Sequence, residues 1–271
     1  MQTETSPINS KPKVVAILQA RISSSRLPGK VLKPILGKPM LAHHLQRLAN
    51  CQHINQLVVA TSDNKEDQAI VRLCQQLDIS CYTGSLNNVL DRFYQAAKHY
   101  QADIIVRLTG DCPLADAKII DQVIEMHIEQ GNDYTSNVEP ATFPDGFDVE
   151  VFNMVQLITA KERAEKPSEL EHVTPFIRNI LAQKKGNYSS TIDYSHYRLT
   201  VDEPSDFILI EKIYQTLGQQ GQYFDSEQIY QLLVEQPELA KINQGIIRNE
   251  GYLKSIEQEQ SVALKSQENK H

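Results

Sequence analysis

The sequence predicts an α/β fold with a doubly wound, mostly parallel, Rossmann-like sheet. Two observations carry that prediction. Residues 14–18 (Val-Val-Ala-Ile-Leu), 56–61 and 103–108 are nearly continuous apolar runs without alternation. Such runs mark strands buried on both faces, the situation in a parallel sheet. Between them lie segments of helical periodicity at residues 39–49, 65–77 and 87–100. Buried strands alternating with helices imply right-handed βαβ units.

The later elements follow the same logic. Residues 119–128 read as a helix, with a short strand around Tyr134 and another at 149–153 entered through the turn Phe143-Pro144-Asp145-Gly146. Residues 168–181 read as one helix, with Ser168 as N-cap and Glu171 completing a capping box. A last strand is expected at 197–201 and a helix at 204–217 opened by Pro204. Beyond Gly218 glutamine is frequent and strand formers are few, with one further helix at 226–235. The predicted organisation is a loose tail at 1–13, an α/β domain at 14–217, a helical extension at 218–254 and a disordered tail at 255–271. Asn249-Glu250-Gly251-Tyr252 reads as a turn that folds back over the core or meets a partner.

Bulk properties narrow the function classes. With 271 residues the chain can bury a full core without disulfides or metals. The net charge of -7 argues against a broad surface for nucleic acid, leaving small anionic substrates. No apolar run approaches a membrane span, and the first 13 residues do not resemble a signal peptide. Cys51, Cys74, Cys81 and Cys112 show neither a CxxC pair nor zinc-ligand spacing. Reduced thiols and a cytoplasmic location are the expectation, with no membrane and no nucleic-acid partner.

The stretch from Gln19 to Lys30 is the most informative. It leaves the first strand at the carboxyl edge of the sheet, where open α/β folds bind ligands. Neither a Walker loop nor a GxGxxG loop is present, because Gly29-Lys30 is followed by Val31 and the upstream glycines are missing. Three cations, Arg21, Arg26 and Lys30, surround the run Ser23-Ser24-Ser25. Backbone N–H groups of such a run can cradle phosphate oxygens, while an arginine fork and a lysine point charge neutralise them. Arg26 either joins them or only braces the loop.

The string Ala20-Arg21 through Ser24 to Arg26-Leu27-Pro28-Gly29-Lys30 resembles the signature A-R-x-x-S-x-R-L-P-G-K of the sugar cytidylyltransferases. The resemblance runs from Val14 to about Leu217 and is nearest to the spore-coat polysaccharide biosynthesis subgroup. It implies transfer of CMP from CTP to an acidic or related sugar, with pyrophosphate released, and a homodimer. It places the donor phosphates on Arg21, Ser24 and Lys30. Candidate nucleotide-binding residues are therefore Gln19, Ala20, Arg21, Ser23, Ser24, Ser25, Arg26 and Lys30, with Gly84, Arg92 and Asp111 from later segments. Arg21, Lys30 and Asp111 are the catalytic candidates.

Asp111 follows the strand at 103–108, and Asp202 follows the one at 197–201, so both sit at the edge that carries the loop. Two carboxylates beside a triphosphate suit Mg²⁺, which completes its octahedron with phosphate oxygens and water. The resemblance places the metal ligands on the same two residues. Asp202 also suits a helix start, and the two roles can coexist. Gly84 would let the backbone approach the base, and Arg92 would read a cytosine carbonyl or brace its loop. Acceptor candidates are Asp145, Asp148 and Glu150 on the turn and strand at 145–150, Glu169 and His172 on the helix after it, and Arg198 and Arg107 for an acceptor carboxylate. Other outcomes are a nucleotidyltransferase for a sugar 1-phosphate or polyol phosphate, a glycosyltransferase, or a non-catalytic nucleotide-binding protein. The first would want a second cationic cluster, with Arg163, Arg178 and Arg198 its only material. The second would want a DxD pair that Thr109-Gly110-Asp111-Cys112 does not supply.

Overall fold

The structure, a computed structural model, describes residues 11–268. Residues 1–10, most of the predicted tail, and residues 269–271 lie outside the described residues. Described in chain order, the strands are β1 (Val14–Gln19), β2 (Gln56–Ser62), β3 (Ser80–Gly84), β4 (Ile104–Thr109), β5 (Tyr134–Ser136), β6 (Glu150–Asn153) and β7 (Lys185–Asn187). They form one sheet in the order β3-β2-β1-β4-β6-β5-β7. The pairings from β3 through β4 are parallel, and β6 runs antiparallel to both its neighbours. The helices are α1 (Met40–Leu48), α2 (Gln68–Gln76), α3 (Val89–His99), α4 (Ala117–Gln130), α5 (Met154–Arg163), α6 (Pro167–His172), α7 (Pro204–Leu217), α8 (Ser226–Glu235) and α9 (Glu250–Glu268).

Both faces of β1 are buried, as a continuous apolar run requires. Val14, Ala16 and Leu18 pack in one core with Met40, Leu41 and Leu45 of α1, Ile120 and Ile124 of α4, and Ile210 and Ile213 of α7. Val15 and Ile17 pack in a second core with Leu90 and Phe93 of α3 and Leu157 of α5. The sheet is therefore sandwiched by helices, and its carboxyl edge is left for the site. Side chains cap the starts of α3 and α4. Asp116 caps α4 by accepting from the Lys118 N–H at 2.9 Å, and Asn88 caps α3 by accepting from the Asp91 N–H at 2.8 Å.

Several expectations are corrected. The helix expected at 168–181 is two pieces. Pro167 occupies the first turn of α6, so the helix starts before Ser168, and the Glu169 carboxylate rather than Glu171 accepts from the N–H groups of Glu165 and Lys166, each at 3.2 Å. Val173, at φ 69°, breaks the helix ahead of Pro175, and Ile177–Leu181 resumes as a widened π-helical turn. The strand expected at 197–201 is extended but does not join a ladder: one bridge links Arg198 to Asp145, and the Val201 N–H donates to the Asp111 carbonyl at 2.8 Å. Packing does not stop at residue 217, because Phe224, Ile229, Tyr230, Leu232 and Leu233 belong to the first core. Nor is the segment after 255 without structure: α9 runs through it, built of helix-forming Glu and Gln residues, and packs on α6 through Tyr252 and Ser255 against His172.

One backbone contact matters for everything at the sheet edge. Gly146 has φ +107°, and a Cβ there would stand 2.5 Å from the backbone of Leu199 and Thr200. Only glycine lets the 145–148 turn lie against the 197–201 segment. Gly146→Ala is expected to destabilise the fold on the order of 3 kcal/mol, lowering the melting temperature by roughly 10 °C; a calorimetric scan beside wild type checks this.

Candidate active site

A cleft of about 560 Å³ opens at the carboxyl edge of the sheet. Its floor is made where β1 and β4 end together. Gln19 and Thr109 are register partners, and the Gly110 N–H donates to the Gln19 carbonyl at 2.8 Å. A side chain at 110 would meet that carbonyl at 3.0 Å and the Ala20 Cβ at 3.1 Å, so glycine brings Asp111 beside the loop.

The loop is held by a residue that the sequence reading did not single out. Asp67, 2% exposed, accepts from the Ile22 N–H at 2.7 Å and from the Ser62 N–H at 3.2 Å. So anchored, the loop lines the cleft with Gln19, Ala20, Arg21, Ser24, Ser25, Arg26 and Lys30. Ser23 is exposed and does not line it.

Lys30 is the centre of the site. Its Nζ donates to Asp202 Oδ1 at 2.9 Å, to Asp111 Oδ2 at 3.2 Å and to the Val201 carbonyl at 2.8 Å. Burial alone would lower the ammonium's pKa; the charges of Asp111 and then Asp202 reverse that and hold it above its ordinary value. Burial likewise favours a protonated Asp111, but Lys30 and the Thr109 hydroxyl keep its carboxyl well below the usual carboxylate range. The anchor expected from two separate strand ends is thus brought to one point. Asp202 does not itself cap α7; Glu203 is the N-cap.

The two carboxylates flank one point with hard oxygen donors, open to the cleft. Among the described residues no group of three His, Cys, Asp or Glu side chains stands ready to hold a metal alone. The donor set therefore fits a cation that takes one or two protein carboxylates and draws its other ligands from a substrate's phosphates and water, which is the habit of Mg²⁺.

Of the two candidates for the base end, only Arg92 lines the cleft. Gly84 does not line the cleft; its Cα faces the Arg92 side chain, whose Cγ an added Cβ would meet at 3.2 Å. Arg92 does line it, and its Nη1 braces the preceding loop by donating to the Ser85 carbonyl at 2.7 Å. Its Nε is buried without a partner. Burial, and then the nearby Arg21, lower its pKa to about 10.

At the other end stand Asp145, Asp148, Glu150 and His172, all lining the cleft. Glu150 pairs with Arg107 across the β4–β6 ladder and accepts from the Tyr134 hydroxyl at 2.6 Å. Asp148 pairs with Arg248 at 2.5 Å. Burial, then the charge of Asp148, push the Asp145 carboxyl up to about 7, and Arg198 does not prevent it because its charge is divided among three carboxylates. His172 is kept neutral by burial and by Arg107, with Nε2 3.2 Å from the Ser255 hydroxyl.

Two expected acceptor residues are elsewhere. Glu169 is consumed by the start of α6, and Arg198 lies beneath the cleft, bonded to Asp145, Asp202 and Asp206. Arg107 and Arg178, in contrast, do line the cleft, and each has a buried Nε without a partner. The turn at Asn249–Tyr252 folds back over the core, one of its two expected outcomes, and with the start of α9 it roofs the cleft. Asn249 to Tyr252, Lys254, Ser255 and Gln258, at and after the start of α9, line the cleft. Glu250 bonds Arg26 at 2.8 Å, and the Tyr252 ring stands edge-on to His172 at 5.2 Å and beside the Arg178 guanidinium at 5.3 Å. The part from Ser255 onward is expected from its polar composition to be a disordered tail.

Comparison with known proteins agrees with the geometry. The chain is 34% identical over 235 residues to the spore coat polysaccharide biosynthesis protein SpsF of Bacillus subtilis, covering 84% of this chain and 96% of that one. It superposes on the structure of a cytidylyltransferase from Leptospira borgpetersenii with a TM-score of 0.81 and 31% identity, covering 88% of this chain and all of that one. A CMP:2-keto-3-deoxy-manno-octonic acid synthetase complexed with CTP shares the fold, at a TM-score of 0.57 and 18% identity over 75% of this chain and 99% of that one. The sequence profile of the cytidylyltransferases matches residues 15–239, and the chain belongs to that family.

Proposed function

We propose that the chain transfers CMP from CTP to an acidic sugar for surface polysaccharide or glycan synthesis. The observation that carries this reading is the convergence of the Lys30 ammonium with the Asp111 and Asp202 carboxylates at the mouth of the serine loop. An acceptor hydroxyl attacks the α-phosphorus in line, its oxygen forming the new P–O bond as the bond to the β-phosphate breaks and pyrophosphate departs with the electron pair. The hydroxyl proton passes to solvent or to a carboxylate of the cleft. Little covalent work falls to the protein, whose tasks are alignment and neutralisation of charge. Arg21, Ser24 and Lys30 hold the donor phosphates. Asp111 and Asp202 would hold a divalent cation, Mg²⁺ being the natural choice, and the bound cation supplies charge neutralisation at the phosphates.

The acceptor end supports an anionic sugar. Arg107 and Arg178 both face Glu150, and the unpartnered Nε of each leaves a guanidinium donor for an anionic acceptor. Arg178 also reaches Glu139 at the surface, at 3.2 Å. Asp145 and Asp148 beside them offer acceptors for hydroxyl groups. Arg163 and Arg198 do not join Arg178 in a second phosphate-sized cluster: Arg163 packs on Phe176, and Arg198 is enclosed by carboxylates. Among the described residues no helix is long and apolar enough to cross a membrane, which suits a cytoplasmic enzyme.

Two outcomes are expected. Lys30→Ala and Asp111→Ala should each lower pyrophosphate release from CTP by about a hundredfold or more while the chain stays folded; a coupled phosphate assay over a panel of acidic sugars and nucleotides checks both the rate and the preference for CTP. The second concerns pH. The Asp145 carboxyl ionises near 4 when unfolded and at about 7 when folded, so between those values the folded state binds more protons and stability falls as pH rises. Asp145→Asn should therefore gain stability relative to wild type as pH increases from about 4 to 7, read as the difference between their melting temperatures across the series.

A further inference from the structure

We propose that Arg198 is a positioning residue that presents one chosen oxygen of Asp202 to the cleft, with Asp206 as its fixed base and Asn243 as the strut behind. This rests on the reading of Asp202 as a ligand of the divalent cation. Arg198 itself is cut off from any acceptor: its side chain is 9% exposed and all of its fork is engaged.

Asp206, fully buried, is saturated. Its Oδ1 accepts from Arg198 Nε at 2.9 Å and Asn243 Nδ2 at 2.8 Å, and its Oδ2 from Arg198 Nη2 at 2.9 Å and the N–H groups of Asp202 and Glu203 at 2.9 and 2.8 Å. A carboxylate with five donors cannot turn without leaving several of them unsatisfied in a buried place. The bidentate pairing fixes the plane of the guanidinium. From that plane Nη2 reaches Asp202 Oδ2 at 3.2 Å and Nη1 reaches Asp145 Oδ2 at 2.9 Å. Asn243, from the segment after α8, donates also to the Arg198 carbonyl at 3.0 Å and so ties both ends of the pair.

The consequence lies in how the two oxygens of Asp202 are divided. Oδ2 belongs to Arg198. Oδ1 faces Lys30 Nζ at 2.9 Å and Arg26 Nη2 at 3.2 Å, the two cations that donor phosphates would draw toward themselves. When they turn to the phosphates, Oδ1 is released into the cleft while Oδ2 stays tied, so the carboxylate offers a single oxygen in a preset direction. An octahedral cation with tight geometric demands is served by such a ligand, whereas a carboxylate free to rotate would chelate through both oxygens or swing away. Asp206 also holds the backbone at 202 and 203, so the same base fixes both the main chain and the side chain of the ligand.

The test uses the full chain and Arg198→Lys, since a lysine cannot span Asp206, Asp202 and Asp145 with one planar fork. Far-ultraviolet circular dichroism and melting establish that the variant folds. Mn²⁺ binding is then followed by the loss of the free-ion paramagnetic resonance signal in the presence of CTP, and CTP binding without metal by calorimetry. Arg198→Lys is expected to weaken Mn²⁺ binding by about 10- to 100-fold, with metal-free CTP binding within about twofold of wild type, a separation that general loosening of the fold would not produce. Asn243→Ala, which unties Asp206 while leaving Arg198 and Asp202 intact, should shift Mn²⁺ binding the same way by a smaller factor and serves if Arg198→Lys does not fold. Unchanged Mn²⁺ binding in whichever of these variants folds overturns the inference, as does an equal loss of CTP binding. Asp202→Asn separates the two levels: if it too leaves Mn²⁺ binding untouched, the assignment of Asp202 as a ligand falls; if it abolishes binding while Arg198→Lys does not weaken it, only the positioning role falls.

Discussion

A single ammonium group shared by two carboxylates organises this molecule's working edge. Lys30 ties the loop after β1 to the end of β4 through Asp111 and to the segment before α7 through Asp202. These three places are 81 and 172 residues apart in sequence, and only the winding of the sheet brings them together. With Lys30 11% exposed, the cluster is only weakly screened by water, so its charges interact more strongly than pairs at the rim. The pair of Arg21 and Glu171, at 3.7 Å with both side chains 44–46% exposed, contributes below about 1 kcal/mol. The buried cluster therefore sets the geometry, and the rim adjusts to it.

How much of this was legible in the sequence depends on the distance over which each signal acts. The strands β1, β2 and β4 were readable because a strand buried on both faces must be apolar at every position. The loop from Gln19 to Lys30 was readable because three cations and three serines beside a buried strand suit a phosphate. Asp111 and Asp202 were readable because each follows a strand-like run into a helix start. The start and break of α6 were less so: Pro167 and Pro175 bracket the segment, yet the capping pattern from Ser168 to Glu171 outweighed them. Asp67 was invisible for a different reason. An aspartate between β2 and α2 looks like a helix cap, and nothing local says that its carboxylate reaches back to Ile22.

Arg198 shows the limit most clearly. An arginine at a strand end in a family that handles anions invites a substrate role. What decides its role is the number of carboxylates around it, and those come from the 145 turn and from one turn into α7. The extended segment 197–201 is itself unusual, because its backbone partners are Asp145 and Asp111 rather than a neighbouring strand. Those hydrogen bonds connect two functional turns, and the conformation of Gly146 is what permits them.

The internal neutralisation of the cleft has an energetic corollary for the order in which ligands arrive. A cation approaching alone would have to displace Lys30 from Asp111 and Asp202 with nothing to receive the freed ammonium. A triphosphate approaching alone would draw Lys30 away and strand two carboxylates beside its own negative charge. On the function proposed above, cation and nucleotide arriving as one complex would exchange partners with the resident ions so that no charge is orphaned at any stage. Their affinities would then be interdependent, each ligand tightening the hold on the other by the same factor, as reciprocity of binding free energies demands.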